Sequence, residues 1–193
     1  SDGEHLPPGP ARDALLAVIQ ARSPADMQAC AASFARRGMG IGAVGPAPND
    51  ATYAGVVESN QLGGDLAILS VTLDDSSDSC DGDGIVDARE VGRLTVRVRN
   101  TGSTTISDAK LTVSADDPLL VFRDAASVAL PALAPYQDHT QVFEFTIRDA
   151  TTQITPTIHV QLESADLLNP RTLSQDLKRR MNYDVVPAAT QDD

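Results

Sequence analysis

The sequence predicts a mainly-β protein: an antiparallel immunoglobulin-like β-sandwich preceded by an N-terminal α-helical hairpin. Three observations carry that prediction. Seven short segments after residue 65 alternate apolar and polar residues with a period of two. Clusters of Asp, Asn, Gly and Pro punctuate those segments at close intervals. Residues 11–43 instead repeat apolar positions every three to four residues, the helical period.

In the first zone, ARDALLAVIQAR places Leu15, Val18 and Ile19 on one helical face. A second helix starts at Ser23-Pro24-Ala25-Asp26. Ser23 is suited to cap it, Pro24 to its first turn, and Asp26 to its unpaired amides. Met27, Cys30, Ala31 and Phe34 share a face of that helix, Arg36 and Arg37 suit its C-terminal end, and Gly38 stops it. Helices this short need a partner surface to bury their stripes. Gly38-Met39-Gly40-Ile41-Gly42 closes a helix rather than opening one, so it reads as a cap and tight loop, not a dinucleotide fingerprint.

Residues 44–64 are rich in Gly, Pro and Asn and read as a linker on which Val56-Val57 docks. The strand zone runs from 65 to 187, with candidates DLAILSVTL, RLTVRVRN, AKLTVSA, LLVF, SVAL, QVFEFTIR and ITPTIHVQLES. Leu94, Val96 and Val98 face inward against outward Thr95, Arg97 and Arg99, and Phe143, Phe145 and Ile147 repeat the pattern. A final strand is expected around Met181–Val186, with a polar tail at 188–193. Short, alternating, evenly spaced strands are the signature of a sandwich.

Composition narrows the function. A chain of 193 residues fits one average domain, and with no Trp, four Phe and three Tyr its core must be aliphatic. Fifteen basic against 27 acidic residues give a net charge of −12, which repels phosphate backbones and disfavours nucleic acid and anionic membrane as partners. No run reaches the roughly 18 apolar residues of a membrane span. No secretory signal is present, and the opening SDGEHLPPGP reads as the start of a mature or excised piece. The acidity suits a secreted, extracellular setting.

The densest chemistry lies in SCDGDGIVDARE, residues 79–90. Calcium loops place oxygen ligands at positions 1, 3, 5, 9 and 12 with Gly at 6. With Gly84 at position 6, Asp81, Asp83, Asp87 and Glu90 fall at 3, 5, 9 and 12. Position 1 is Ser79, a weak ligand that Asp78 or Asp75 could replace. A hard cation needs several oxygens converging at about 2.4 Å, and clustered carboxylates otherwise repel one another. Strands flank the loop on both sides, so it is not an EF-hand. The competing reading is a solvated hairpin in which Asp and Gly supply turn geometry alone.

Catalytic chemistry finds no footing. His5, His139 and His159 stand apart, His5 in the opening segment, His139 in a turn and His159 on the polar phase of a strand; each reads as a surface histidine. There is no Gly-x-Ser-x-Gly elbow, and neither cysteine has a nearby histidine to activate it. Cys30 and Cys80 admit three readings: a mutual bridge, which an extracellular chain favours, pairing with cysteines elsewhere, or free thiols with Cys30 as a small buried hydrophobe.

Two stretches carry a resemblance. ARDALL and, further on, FARRGMGIGA resemble the helical C-terminal end of the catalytic domain in secreted fungalysin-type zinc metallopeptidases, with a cysteine at the place of Cys30. DGDGIVDAREVGRLTVRVRNTGSTTISDAKLTVSADDP resembles β-sandwich modules that follow catalytic domains in secreted bacterial proteins. The resemblance implies a non-catalytic C-terminal portion whose partner is the catalytic domain or chain of the parent protease, with zinc held only there. Three departures stand out. His-Glu-x-x-His has no counterpart here, Ala88-Arg89 replaces the Pro-Gly common in such loops, and the family's upstream cysteine has no match, which leaves Cys80 for Cys30.

The expectation is therefore a calcium-stabilised module serving stability, targeting or binding of proteins and cell-surface polymers. Its rival is a stand-alone extracellular binding or structural protein of adhesin-like or assembly type.

Overall fold

The computed structural model describes residues 10–46, 52, 54–78, 83–123, 125–148 and 150–183. Helices α1 (Pro10–Arg22) and α2 (Pro24–Ala35) form the hairpin. Between them Ser23 is extended, and its Oγ accepts the Asp26 amide at 3.2 Å. Gly38 then ends the helical run at φ 80°, a conformation that favours glycine. Leu16, Met27 and Ala31 form a small core with Ile19, Cys30, Phe34 and Tyr136 packed against it.

The buried face of α1 differs from the one the periodicity points to. Leu16 is buried, whereas Leu15 and Val18 are 49% and 58% exposed. Arg12 explains the rotation. Its Nη1 donates to the carbonyls of Met39 at 2.6 Å and Gly40 at 3.2 Å, so the face of Arg12, Leu16 and Ile19 turns inward.

Residues 57–61 return along the loop that leaves α2. Val44 and Val57 exchange backbone hydrogen bonds of 2.8 and 3.1 Å, and the Gly40 amide donates to Ser59 O at 2.6 Å. The docking of Val56-Val57 is thus made by backbone, since both side chains are exposed.

Eight strands follow: β1 (Leu66–Asp78), β2 (Val91–Asn100), β3 (Lys110–Ala115), β4 (Leu120–Phe122), β5 (Ser127–Ala129), β6 (Asp138–Ile147), β7 (Thr157–Glu163) and β8 (Leu173–Lys178). They make two four-stranded antiparallel sheets, ordered β1-β2-β6-β4 and β5-β3-β7-β8. All seven expected segments are strands. β8 was not expected, because only Leu173 and Leu177 of LSQDLK touch the core and the period-two signal is missing. In the described part of the expected final strand, Met181 makes one antiparallel bridge to Ile154.

Both sheets feed one apolar cluster. Leu94, Val96, Val98, Phe143 and Phe145 come from the first, and Leu111, Val113, Ile158, Val160 and Leu162 from the second. That arrangement is consistent with the sandwich the sequence predicts. Phe122 meets Phe143 and Phe145 edge-on, at centroid distances of 6.4 and 6.0 Å. Gly92 lies under the same ring: a Cβ there would stand 2.3 Å from Phe145 Cζ, so the glycine in β2 is a packing requirement.

Candidate functional site

The ladder of β1 with β2 runs from Leu66 opposite Asn100 to Asp78 opposite Val91. The acidic turn closes the second end of this ladder, and the helical hairpin sits at the first. There Gln28 Nε2 donates to Ser103 O, and Asn100 Nδ2 donates to Thr104 O and Leu133 O at 2.8 Å each.

Cys80, Asp81 and the Asp78 side chain lie outside the described residues, so the turn is built here from Asp75, Asp83, Asp87 and Glu90. Asp75, Asp87 and Glu90 are deeply buried, at 5%, 8% and 3% exposure, whereas Asp83 is exposed. Burying a carboxylate without hydrogen bonds is costly, and each of the four takes a backbone amide. Gly84 N donates to Asp75 Oδ2 at 2.9 Å and Ile85 N to Asp83 Oδ1 at 2.7 Å. Asp87 N donates to Glu90 Oε2 at 2.9 Å, while Glu90 N returns to Asp87 O at 3.1 Å. That reciprocal pair folds Asp87–Glu90 into a tight turn, with Arg89 at φ 80°. Arg89 carries a β-carbon, which is strained in that region.

A third strand of chain secures the turn. Tyr183 N donates to Asp87 Oδ1 at 2.6 Å, and Asn182 N donates to Val86 O at 3.0 Å. The buried Asn182 side chain accepts from Ala88 N at 3.1 Å and donates to Ala150 O and Thr152 O at 3.1 and 2.9 Å. Asn182 holds φ 59°, a region asparagine tolerates better than most residues. Sequence reasoning missed Asn182 and Tyr183 because a contact across 94 residues leaves no local signal.

The donor set is all oxygen, which suits a hard cation and neither redox nor nucleophilic chemistry. A carboxylate has two oxygens and about four lone-pair sites, so an amide bond to one leaves capacity at the other for ligation. Among the described residues, no group of three His, Cys, Asp or Glu side chains is placed to hold a metal ion.

The other sequence-stated candidates separate. Cys30 is a free thiol, half-buried against Leu16, Met27 and Ala31, where it packs as a small hydrophobe. Its expected partner is outside the described residues. His139 belongs to β6 rather than a turn, and its Nε2 is buried without a hydrogen-bond partner among the described residues. His159 Nδ1 pairs with Asp176 Oδ1 at 2.8 Å across β7 and β8.

Several shifted groups lie at the hairpin end. Burial pushes the Asp13 carboxyl up, against the opposing pull of Arg12. Tyr136 is pushed up to about 12, first by burial and then by the charge of Asp13. Hydrogen bonds from Arg99 and Arg97 hold Asp138 below the usual carboxylate range.

Comparison with known proteins adds little to this. No protein-family model matches the chain, and no curated protein matches it. Among solved structures it is similar to the CARDB domain of a Pyrococcus furiosus protein in complex with di-metal ions, at 16% identity and TM-score 0.42, over 62% of this chain and 93% of that one. It is also similar to native alpha-2-macroglobulin from Escherichia coli, spanning domain MG7 to the C-terminus, at 16% identity and TM-score 0.43, over 66% of this chain and 17% of that one. A FixG-related protein from Vibrio parahaemolyticus gives 11% identity and TM-score 0.38, over 61% and 94% of the two chains. Scores this low assign neither fold nor function.

Proposed function

We propose that this chain is a non-catalytic accessory module: an immunoglobulin-like β-sandwich, stapled by calcium at its acidic turn, that stabilises or targets a secreted metallopeptidase. What supports the reading is the burial of three carboxylates, Asp75, Asp87 and Glu90, in the segments on either side of the β1–β2 turn, together with the spacing of Asp81, Asp83, Asp87 and Glu90 in the sequence. The sheet orders support the immunoglobulin-like part. With β1, β2, β3, β4, β6, β7 and β8 as A, B, C, D, E, F and G, they read A-B-E-D and C-F-G, with β5 added beside C. The metallopeptidase parent rests on the resemblance of ARDALL, FARRGMGIGA and the acidic-loop stretch. In this reading calcium joins Asp81, Asp83, Asp87 and Glu90, with Asp78 in reserve, and zinc belongs to the catalytic part. The turn then acts as a joint: neutralising its anions locks the start of β2 and, through Asp87 and Tyr183, the end of the fold.

Two experiments test it separately. Calorimetric titration with calcium should show one site, weakened at least about tenfold by Glu90→Gln, because the amide replaces one oxygen of a bidentate position-12 ligand with NH2 and removes its charge. No heat on titration would end the calcium reading. Sequencing the parent reading frame should find His-Glu-x-x-His upstream; its absence would leave a stand-alone module.

A further inference from the structure

Lys178-Arg179-Arg180, the single stretch of three consecutive basic residues in the chain, stands exposed where β8 ends. It lies between two anchors. On one side Lys178 pairs with Thr157 in the sheet, and Arg179 N donates to Pro156 O at 3.2 Å. On the other, buried Met181 exchanges backbone hydrogen bonds of 3.0 and 3.1 Å with Ile154. Arg180 itself makes no hydrogen bond or ion pair among the described residues. From Met181 the chain runs on as a short strap. Asn182 bonds to Val86 O, Ala88 N, Ala150 O and Thr152 O, and Tyr183 N bonds to Asp87 Oδ1. Met181 is the one apolar side chain of the strap that is fully buried. A segment held mainly by hydrogen bonds at the end of a fold opens at less cost than the sheet behind it.

We propose that the Arg180–Met181 peptide bond is a processing site for an endopeptidase that requires a basic residue before the cleaved bond, and that docking of the strap is its gate. While the strap is closed, Met181 is buried and the bond is out of reach. Opening leaves β8 paired and presents an extended, exposed chain behind three cations, the form in which a peptidase takes its substrate. Water then adds across the bond, leaving a carboxylate on Arg180 and an amine on Met181. The cut separates Asn182 and Tyr183 from the sheet that held them in place, so Val86, Asp87 and Ala88 lose those partners and the acidic turn loosens. Other basic sites are built differently. Arg36 and Arg37 are exposed, but their amides donate to Ala32 O and Phe34 O at 3.1 and 3.0 Å in the last helical turn. Arg171 is tied to Asp65 at 2.6 Å. Charge on an edge strand also blunts it against pairing with another strand. That role alone makes the bond after Arg180 no better a target than these.

Limited digestion of the full chain with trypsin, followed by intact-mass spectrometry, tests both parts. The first products should be residues 1–180 and the peptide that begins at Met181, ahead of any cut after Arg37 or Arg171. Arg180→Gln should remove the Met181 peptide. Asn182→Ala should speed its release at least about tenfold, because cleavage of a transiently opened segment follows the population of the open form. Phe145→Ala weakens the core and not the strap, so it should leave that rate within about twofold. Circular-dichroism melts confirm that each variant is folded at the digestion temperature. A first cut after Arg37 or Arg171 overturns the site. A Met181 peptide released no faster from Asn182→Ala overturns the gate, as does equal acceleration by Phe145→Ala, which would mean that the bond is reached only on global unfolding.

Discussion

The sandwich core and the acidic turn are held together by opposite means. In the core, Leu94, Val96, Val98, Phe143 and Phe145 are buried side by side, and no hydrogen bond between side chains is needed to order them. In the turn, residues 83–90 bury little apolar surface beyond Val86 and are organised by carboxylate-to-amide bonds and by Asn182. Apolar burial is non-directional, so the core tolerates small shifts. Hydrogen bonds to buried charges are directional, and one broken bond strands a partner. The loss of one charge or one partner should therefore disturb the turn more sharply than the core.

Four substitutions would break or sharpen that contrast. Phe145→Ala should cost the most, about 3–5 kcal/mol in denaturant unfolding, because it opens a cavity over Gly92 and removes an edge contact with Phe122. A cost below about 1 kcal/mol would mean that the two sheets do not share a core there. Asn182→Ala should cost about 2–3 kcal/mol, since Ala88 N, Ala150 O and Thr152 O lose their partner together. Hydrogen exchange should accelerate at Ala88 and not in β2, which separates turn from core.

Arg89→Gly should stabilise by about 0.5–1 kcal/mol by relieving a left-handed β-carbon. A loss instead would show that the arginine side chain makes a contact worth more than the strain. The smallest effect belongs to Asp13→Asn. Burial raises the Asp13 carboxyl, so the folded state binds its proton more tightly than the unfolded state. Its favourable contribution is present at acid pH and is lost as pH rises through the folded value. The amide should therefore add a little stability at neutral pH and flatten that part of the pH profile.

Legibility in the sequence followed the same divide. Period-two alternation disclosed seven strands, because residues buried on one face must alternate. It missed β8, an edge strand that presents only Leu173 and Leu177 to the core. Helical periodicity found α1 but pointed to Leu15 and Val18 rather than Leu16, because a hydrogen bond from Arg12 to a distant carbonyl sets the rotation of the helix. At the acidic turn the carboxylates were readable from their spacing. Asn182 and Tyr183 were not, since their role exists only once β7 and β8 have brought the chain back.

The central claim is that the acidic turn is a cation-dependent joint. Paired thermal melts of the full chain in calcium and in excess chelator test it most directly, with Glu90→Gln as the control. The account predicts a midpoint several degrees higher in calcium for the native sequence and a much smaller difference for the variant. Equal midpoints with and without calcium in the native chain would contradict it.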